Sequence, residues 1–577
     1  MKVLLSSVIA FGCILCINIF TANGQVISKK NAPTQIPYLR TLENHTQLIV
    51  DGKPFLMVAG ELHNSTSSAP EYFSQAMQNA KEMNVNTVIA SVAWEQFEPK
   101  EGKFDFSLID FILKNANEKQ LKIVLIWFGI WKNGESSYVP LWVKKDTQRF
   151  FRIKNKAGES MTAISPFCEA AMMADAKAFS NLMQYIKIKD LNHSIIMVQP
   201  ENEVGAFSEM DYNEVALKKY KEQVPQALVS YLLANQNTLE PEVKTVWQEN
   251  GQKQKGSWGE LFGEKNYTAQ NYFLTWQYAS FMNELCKQGK VILPLPMYVN
   301  AWLVQFPEEL PGKYPNGGPV SKVMDIYRAA APFIDFLAPD IYLPNFKEVC
   351  SMYSRHSKKN PLFIPECERS NPGKAYYALA THDALGFGPF GIESLIADVS
   401  YALSFKLLKE ELLPIISLYQ GTGKMTGILR EGNEDTVSVN VGQNRCFVEF
   451  IEKGKNAYGI IIQTGEDDYL IAGINMKVSF FPINATKKPL IGEVQEGGFK
   501  KDVWLPYRYL NGDETWHNSY LFARGRSYSA VSEKGKLLFK QVLAPIPVLH
   551  TNLEGSLQQQ QVECPGIYKV KLYQLGM

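Results

Sequence analysis

Between Lys53 and about Ser394, short apolar runs alternate with longer stretches whose apolar positions recur every three to four residues. The runs occupy 54–60, 86–94, 121–129, 194–199, 291–300, 333–342, 361–366 and 386–392. In Ile123-Val124-Leu125-Ile126 every position is apolar, as in a parallel strand covered on both faces. Helical spacing fills 71–83, 107–119, 170–187 and 320–330 among the intervening stretches. Eight strand-then-helix units in order predict an α/β fold, the (β/α)8 barrel. An open doubly wound sheet would need a phosphate-type glycine loop after an early strand, and there is none. The segment 207–288, between the fourth and fifth runs, is too long for one connection, so it is expected to build helices and part of a rim.

The period changes after about Gly421. Val437, Val439 and Val441 alternate with polar residues, as do Met476, Val478 and Phe480 around Lys477 and Ser479. Similar runs follow at 457–463, 536–540 and 567–573, with Gly- and Asn-rich turns between them. Period two at this spacing predicts an antiparallel β-sandwich domain. The expected organisation is a leader at 1–24, a catalytic barrel at 25–424 and a β-sandwich at 425–577. No Pro-, Gly- or Ser-rich tether separates the last two, so they are expected to pack together.

Composition narrows the partner. Among 577 residues, 59 Lys plus Arg balance 58 Asp plus Glu, so no field exists to attract nucleic acid or an anionic membrane. Aromatics reach 12%, which suits sugar stacking as well as core filling. Lys2, an apolar run from Val3 to Ile19 and the small residues before Gly24 read as a secretory signal, too short for a comfortable span of ~20 residues. The mature chain is thus expected outside the cytoplasm, periplasmic or extracellular. Ala10-Phe11 before Gly12-Cys13 argues against lipid anchoring at Cys13. The remaining cysteines, at 168, 286, 350, 367, 446 and 564, have no metal-ligand spacing and are expected to be mostly buried free thiols. None of the seven histidines falls in a His-Glu-x-x-His pattern, and there is no Gly-x-Ser-x-Gly elbow. Neither a metal nor another cofactor is expected.

In a barrel, catalytic groups stand where strands end. The fourth run leads into Gln199-Pro200-Glu201-Asn202-Glu203-Val204-Gly205, and the seventh ends Phe363-Ile364-Pro365-Glu366. Two carboxylates across a cleft are what glycoside hydrolysis needs, one to protonate the leaving oxygen and one to attack or to activate water. The strand-four segment resembles the Gln-x-Glu-Asn-Glu-x-Gly motif of glycoside hydrolase family 35, the retaining-barrel β-galactosidases. Gly60-Glu61-Leu62-His63, Trp94-Glu95-Gln96-Phe97-Glu98-Pro99 and Val139-Pro140-Leu141-Trp142 are similar to further segments of that family. The resemblance covers roughly 45–400, and the terminal β domain is similar to one that accompanies a bacterial branch. It implies that Glu203 is the acid/base and Glu366 the nucleophile. It also implies that Asn202 binds the sugar 2-hydroxyl and that Tyr342 touches the nucleophile. Retention implies carboxyls ~5–5.5 Å apart. His63 is a further binding candidate, with a plain structural hydrogen bond as the alternative. Trp127, Trp131 and Trp302 are candidate sugar platforms, with core packing as the alternative. Glu201 and Glu368 are expected to be supporting or salt-bridge groups. Where the family carries Glu and Tyr on strand two this chain has Ile89 and Ser91, and Ile126–Trp131 replaces an Ala-Glu-Trp segment. The expected activity is therefore an exo-acting β-galactosidase on an oligosaccharide or polysaccharide. The alternatives are a β-glucosidase, a β-xylosidase or a non-catalytic carbohydrate-binding protein.

Overall fold

The computed structural model describes residues 35–356, 358–483, 487–510, 512–533, 536–542 and 561–576. The expected leader and Cys13 lie outside the described residues. Eight short parallel strands, each followed by a helix, run through the first part. They are β1 (Met57–Glu61), β2 (Thr87–Ala93), β3 (Lys122–Lys132), β4 (Ile195–Asn202), β5 (Tyr298–Trp302), β6 (Phe336–Asp340), β7 (Phe363–Ile364) and β8 (Gly386–Phe387). The helices that follow them are α1 (Pro70–Glu82), α2 (Ser107–Lys119), α3 (Glu169–Lys189), α4 (Thr268–Ile292), α5 (Met324–Ala330), α6 (Phe346–Ser354), α7 (Gly373–Thr381) and α8 (Val399–Leu407). In α1, Phe73, Ala76, Met77 and Ala80 form one buried stripe at helical spacing. Pro70 opens that helix where its missing N–H is not needed.

Strands pair in the order β7-β8-β1-β2-β3-β4, and β5 pairs with β6. Isolated parallel bridges join Val198 of β4 to Met297 just before β5, and Ile341 after β6 to Cys367 after β7. Alternation along the strands sorts side chains into two layers. Val58, Val88, Ile123, Leu125 and Trp127 face the helices, while Ala59, Ile89, Val124, Ile126, Phe128, Tyr298, Phe336, Ala338 and Phe363 fill the inside.

Three boundaries depart from the pattern in the sequence. The apolar residues at 291–292 are the last turn of α4, and β5 starts only at Tyr298, because a short apolar run carries no period of its own. The eighth run yields a two-residue strand and then a 3-10 turn at Ile392–Ser394. β3 continues to Lys132, three residues beyond its expected end at Gly129. The 207–288 segment does build helices: Glu214–Tyr220, Gln226–Ala234, Pro241–Glu249, Trp258–Phe262 and most of α4.

From Met425 onward the strands are antiparallel. A six-stranded sheet runs Met425–Leu429, Tyr458–Gln463, Asp468–Ile474, Gly566–Gly576, Lys487–Lys500 and Val503–Leu510. A four-stranded sheet runs Thr436–Val441, Asn444–Phe450, Met476–Pro482 and Tyr520–Ala523. One face of the larger sheet, with Ile461, Ile471 and Val570, shares a core with Val441, Val448, Val478 and Leu521 of the smaller. Its other face, with Ile460, Ile462, Leu470, Ala472 and Ile567, joins the helix layer of the parallel part. Tyr458 Oη and Ser404 Oγ are 2.8 Å apart, and Arg526 donates to Glu411 at 2.8 Å across the same seam. All six described cysteines are free and buried. Among the described residues, no helix is long and apolar enough to cross a membrane.

Candidate functional site

The strand ends gather five ionisable side chains: Glu61 from β1, Lys132 from β3, Glu203 just after β4, Asp340 from β6 and Glu366 just after β7. Strand parity accounts for two of them. Glu61 follows Ala59 by two residues, and Asp340 follows Ala338 by two, so both share the inward face. Asn300 likewise follows Tyr298 and becomes the hub of the site. Its Oδ1 accepts the Glu203 N–H at 2.9 Å, while its Nδ2 donates to Asn202 Oδ1 at 3.1 Å and to Asp340 Oδ2 at 2.6 Å.

Glu203 is 5% exposed and sits at a φ of +47°, a region few non-glycine residues adopt. Burial, and then the charge of Glu366, push its carboxyl up to about 7, against the pull of Lys132 and a hydrogen bond with Asp340. It can therefore hold a proton near neutrality and release it. Glu366 is also buried. Tyr342 Oη donates to Glu366 Oε1 at 2.5 Å, while Oε2 has no hydrogen-bond partner among the described residues. Burial, then Glu366, raise the Tyr342 phenol, so it remains a donor. Burial, then Glu366, likewise raise Glu61 and Asp340 well above the ordinary carboxyl range.

The other expected site residues separate clearly. Asn202 lies in this network, fully buried, and also donates to Asn133 Oδ1 at 3.3 Å. Trp302 shares the inward parity of Asn300 and packs edge-on against Phe207 with ring centroids 5.9 Å apart, half-buried. Trp127 and Trp131 are not at the cleft. Trp127 points to the helix layer and donates Nε1 to Asp175 at 2.8 Å. Trp131 donates to Ile164 O at 3.0 Å and packs on Tyr278 and Phe281. Both are core residues, because odd positions of β3 face outward. His63 is taken up by Ser394 Oγ at 3.0 Å and the edge of Phe390, in the turn after β8. Glu201 is fully buried behind the strand, accepting from Ile130 N–H at 2.8 Å and Trp131 N–H at 2.6 Å, next to Asp175. Glu368 pairs with Lys374 and Ser370. Cys367, beside Glu366, is a packed thiol pushed up to about 12 by burial. No group of three or more His, Cys, Asp or Glu among the described residues could hold a metal ion.

Sequence reasoning missed Glu61, Lys132, Asn300 and Asp340. Glu61 stood inside a quoted motif, and Asn300 and Asp340 lay within the fifth and sixth runs, so counting parity from strand centres would have found all three. Nothing in the pattern marked Lys132, because it required β3 to run past Gly129.

Residues 47–295 match the model of glycosyl hydrolases family 35. This segment is similar to a family 35 domain. Residues 401–521 match a second model, a domain of unknown function (DUF5597), which spans α8 and much of the antiparallel part. Among similar proteins, β-galactosidase 11 of Arabidopsis thaliana is 33% identical over 118 residues, covering 19% of this chain and 14% of that protein. A β-galactosidase of Xanthomonas manihotis is 28% identical over 174 residues, covering 28% of this chain and 26% of its own. A β-1,2-glucosyltransferase of Ignavibacterium album is 26% identical over 194 residues, covering 31% and 27%. The chain thus spans between 14% and 27% of the length of these three relatives. Among solved structures, a β-galactosidase from the psychrophilic Marinomonas ef1 aligns over 61% of this chain and 60% of its own, at 12% identity and a TM-score of 0.40. A likeness that low carries no argument. The family 35 match supports the expectation of a glycoside hydrolase.

Proposed function

We propose that this protein is an exported, retaining exo-glycoside hydrolase acting on a terminal β-linked sugar of an oligosaccharide or polysaccharide, with galactose as the first reading. The observation that carries it is the asymmetry of the two strand-end carboxyls. Glu203 is raised to about 7, where it can protonate a leaving oxygen. Glu366 has one oxygen held by Tyr342 and the other unpartnered. In this reading Glu366 Oε2 attacks the anomeric carbon while Glu203 gives its proton to the departing oxygen. Glu203 then takes a proton from the water that cleaves the glycosyl-enzyme. Asn202, held by Asn300, faces the sugar 2-hydroxyl.

The fold reading that goes with this is a closed (β/α)8 barrel followed by a β-sandwich. Its support is the pair of parallel bridges that link β4 to β5 and β6 to β7. A glucosyl substrate is the second reading. The β-1,2-glucosyltransferase among the relatives favours it, as do Ile89 and Ser91 on the inward face of β2.

Purified mature protein assayed on aryl β-galactosides, β-glucosides and β-xylosides, with proton NMR of the first anomer released, tests the proposal. The expected result is turnover of one β-glycoside with initial release of the β anomer. Initial release of the α anomer refutes retention. Failure on every β-glycoside, with the protein folded, refutes the hydrolase reading.

A further inference from the structure

Lys132 ends β3 and is only 7% exposed. Its backbone is fixed on two sides. It opens a tight turn in which Lys132 N–H donates to Glu135 O at 2.8 Å and Glu135 N–H returns to Lys132 O at 3.0 Å. Asn133 and Gly134 occupy that turn at φ of +56° and +72°, the left-handed pair an Asn-Gly turn favours. The turn is bonded in its own right to the end of β4: Asn133 N–H donates to Asn202 O at 3.2 Å and Gly134 N–H to Glu203 O at 3.1 Å. The stem of Lys132 is thus locked to the segment that carries Glu203.

The tip is treated differently. Among the described residues its ammonium makes no hydrogen bond and has no carboxylate oxygen within 4.0 Å. It lies over the ring of Phe128, whose centroid is 5.3 Å from Nζ. At longer range it faces Glu366, Glu203, Glu61 and Asp340, one from each strand end around it. Burial alone would lower the ammonium, but those four carboxyls outweigh it and hold the group above its ordinary value. A buried cation with three unused donors is costly unless something brings acceptors to it. A glycosyl unit carries acceptors on every ring carbon and no charge of its own.

We propose that Lys132 is a substrate-contacting residue whose ammonium donates to a hydroxyl oxygen of a neutral glycosyl unit seated against Glu366 and biases the cleft against cationic ligands. The inference rests on the glycosidase reading and deepens it. It assigns to Lys132 the sugar-reading contact that Ile89 and Ser91 do not offer from β2. It also accounts for a cation standing among four carboxyls of the cleft, whose charge it offsets.

Lys132→Met and Lys132→Gln, compared with the wild-type chain, test this by three measurements. These are kcat/KM on the best aryl glycoside, its pH profile, and the ratio of binding constants for a cationic iminosugar and the neutral product sugar, read by calorimetry. Losing a charged hydrogen bond should lower kcat/KM ~10- to 100-fold in Lys132→Met, with part restored in Lys132→Gln, whose amide still donates. The alkaline limb should move to higher pH in both variants, since Lys132 is the cation that lowers Glu203 against Glu366. The binding ratio should shift toward the iminosugar in both. Lys132→Met with wild-type kcat/KM and an unchanged binding ratio overturns the proposal, even if it melts earlier, because that result makes Lys132 a packing residue. Wild-type protein that binds the sugars but turns over no glycoside refutes the hydrolase reading alone, and the binding ratio then still decides Lys132. Wild-type protein that binds neither ligand refutes both.

Discussion

Glu203 leaves β4 in a left-handed conformation that costs a glutamate stability, and the Asn300 side chain holds it there by accepting its N–H at 2.9 Å. One residue thereby fixes the Glu203 backbone, the Asn202 amide and the Asp340 carboxyl together. Glu203→Gln should keep the fold and lose ~10²- to 10⁴-fold in kcat on substrates with poor leaving groups, the range a general acid supplies. Aryl glycosides with activated leaving groups should lose far less. Glu366→Ala should be nearly inactive on both, with partial rescue by azide, which can enter the space the carboxylate leaves. Wild-type turnover of a disaccharide by either variant would refute the assignment. The pH profile follows from the same residue. Glu203 must be protonated to act as an acid, so kcat/KM should fall as pH rises through about 7. A flat profile from pH 6 to 9 would contradict that role.

At the scale of elements, the ends of β3 and β4 are held together from behind by a pair of buried carboxyls. Glu201 takes the N–H groups of Ile130 and Trp131, and Asp175 of α3 takes Trp127 Nε1. Gly129 lies between them, and a Cβ there would run into Glu201 Oε1, Trp127 Nε1 and Asp175 Oδ1. Gly129→Ala should therefore destabilise by about 1–3 kcal/mol, as overpacking does, and should misplace Lys132 and Glu203 enough to lower activity. A melting curve and one kinetic assay check both effects. Burial raises Asp175 from its ordinary 3.8 to about 6. The folded state keeps a proton that the unfolded chain releases, so the contribution is full below pH 3.8 and is lost as pH rises through about 6. The melting temperature should decline over that window, and Asp175→Asn, which cannot ionise, should show a smaller decline. Equal slopes for the two proteins would show that Asp175 does not hold that proton in the folded state. Glu201 was read from the sequence as a supporting group, but its neighbour Asp175 was not legible in the pattern, since a buried carboxyl and an exposed one are the same letter.

For the whole molecule, strands Tyr458–Gln463 and Asp468–Ile474 of the larger antiparallel sheet are buried on both faces, one toward the partner sheet and one toward the helices of the parallel part. Arg526 and Glu411 close that seam at 3% and 16% exposure, with Phe499 N–H also donating to Glu411 at 2.8 Å. Ending the chain at residue 424 would uncover Tyr458's partners, Tyr376 in α7 and Ser404 in α8, so the product should be insoluble or strongly destabilised. A soluble, fully active truncation would refute the coupling. Arg526→Met, which leaves Glu411 buried and unpaired, should cost about 3–5 kcal/mol, the penalty for breaking a buried pair from one side.

The hydrophobic period by itself determined the order of parallel strands and helices, the change to antiparallel pairing near Met425, and the two strand ends that bear Glu203 and Glu366. Those are local properties: a face buried on both sides or on one leaves its mark in consecutive letters. The Gln199-Pro200-Glu201-Asn202-Glu203 segment was likewise legible because its spacing is contiguous. Only the tertiary structure decided that Trp127 and Trp131 belong to the helix layer, and that Asn300 ties β4 to β6. It alone also brought Glu61, Lys132 and Asp340 into one cleft with the pair. These depend on which strand lies beside which, and on whether a strand runs three residues farther. A charged or polar side chain acquires its role from neighbours on other strands, far along the chain, and no window of sequence contains them.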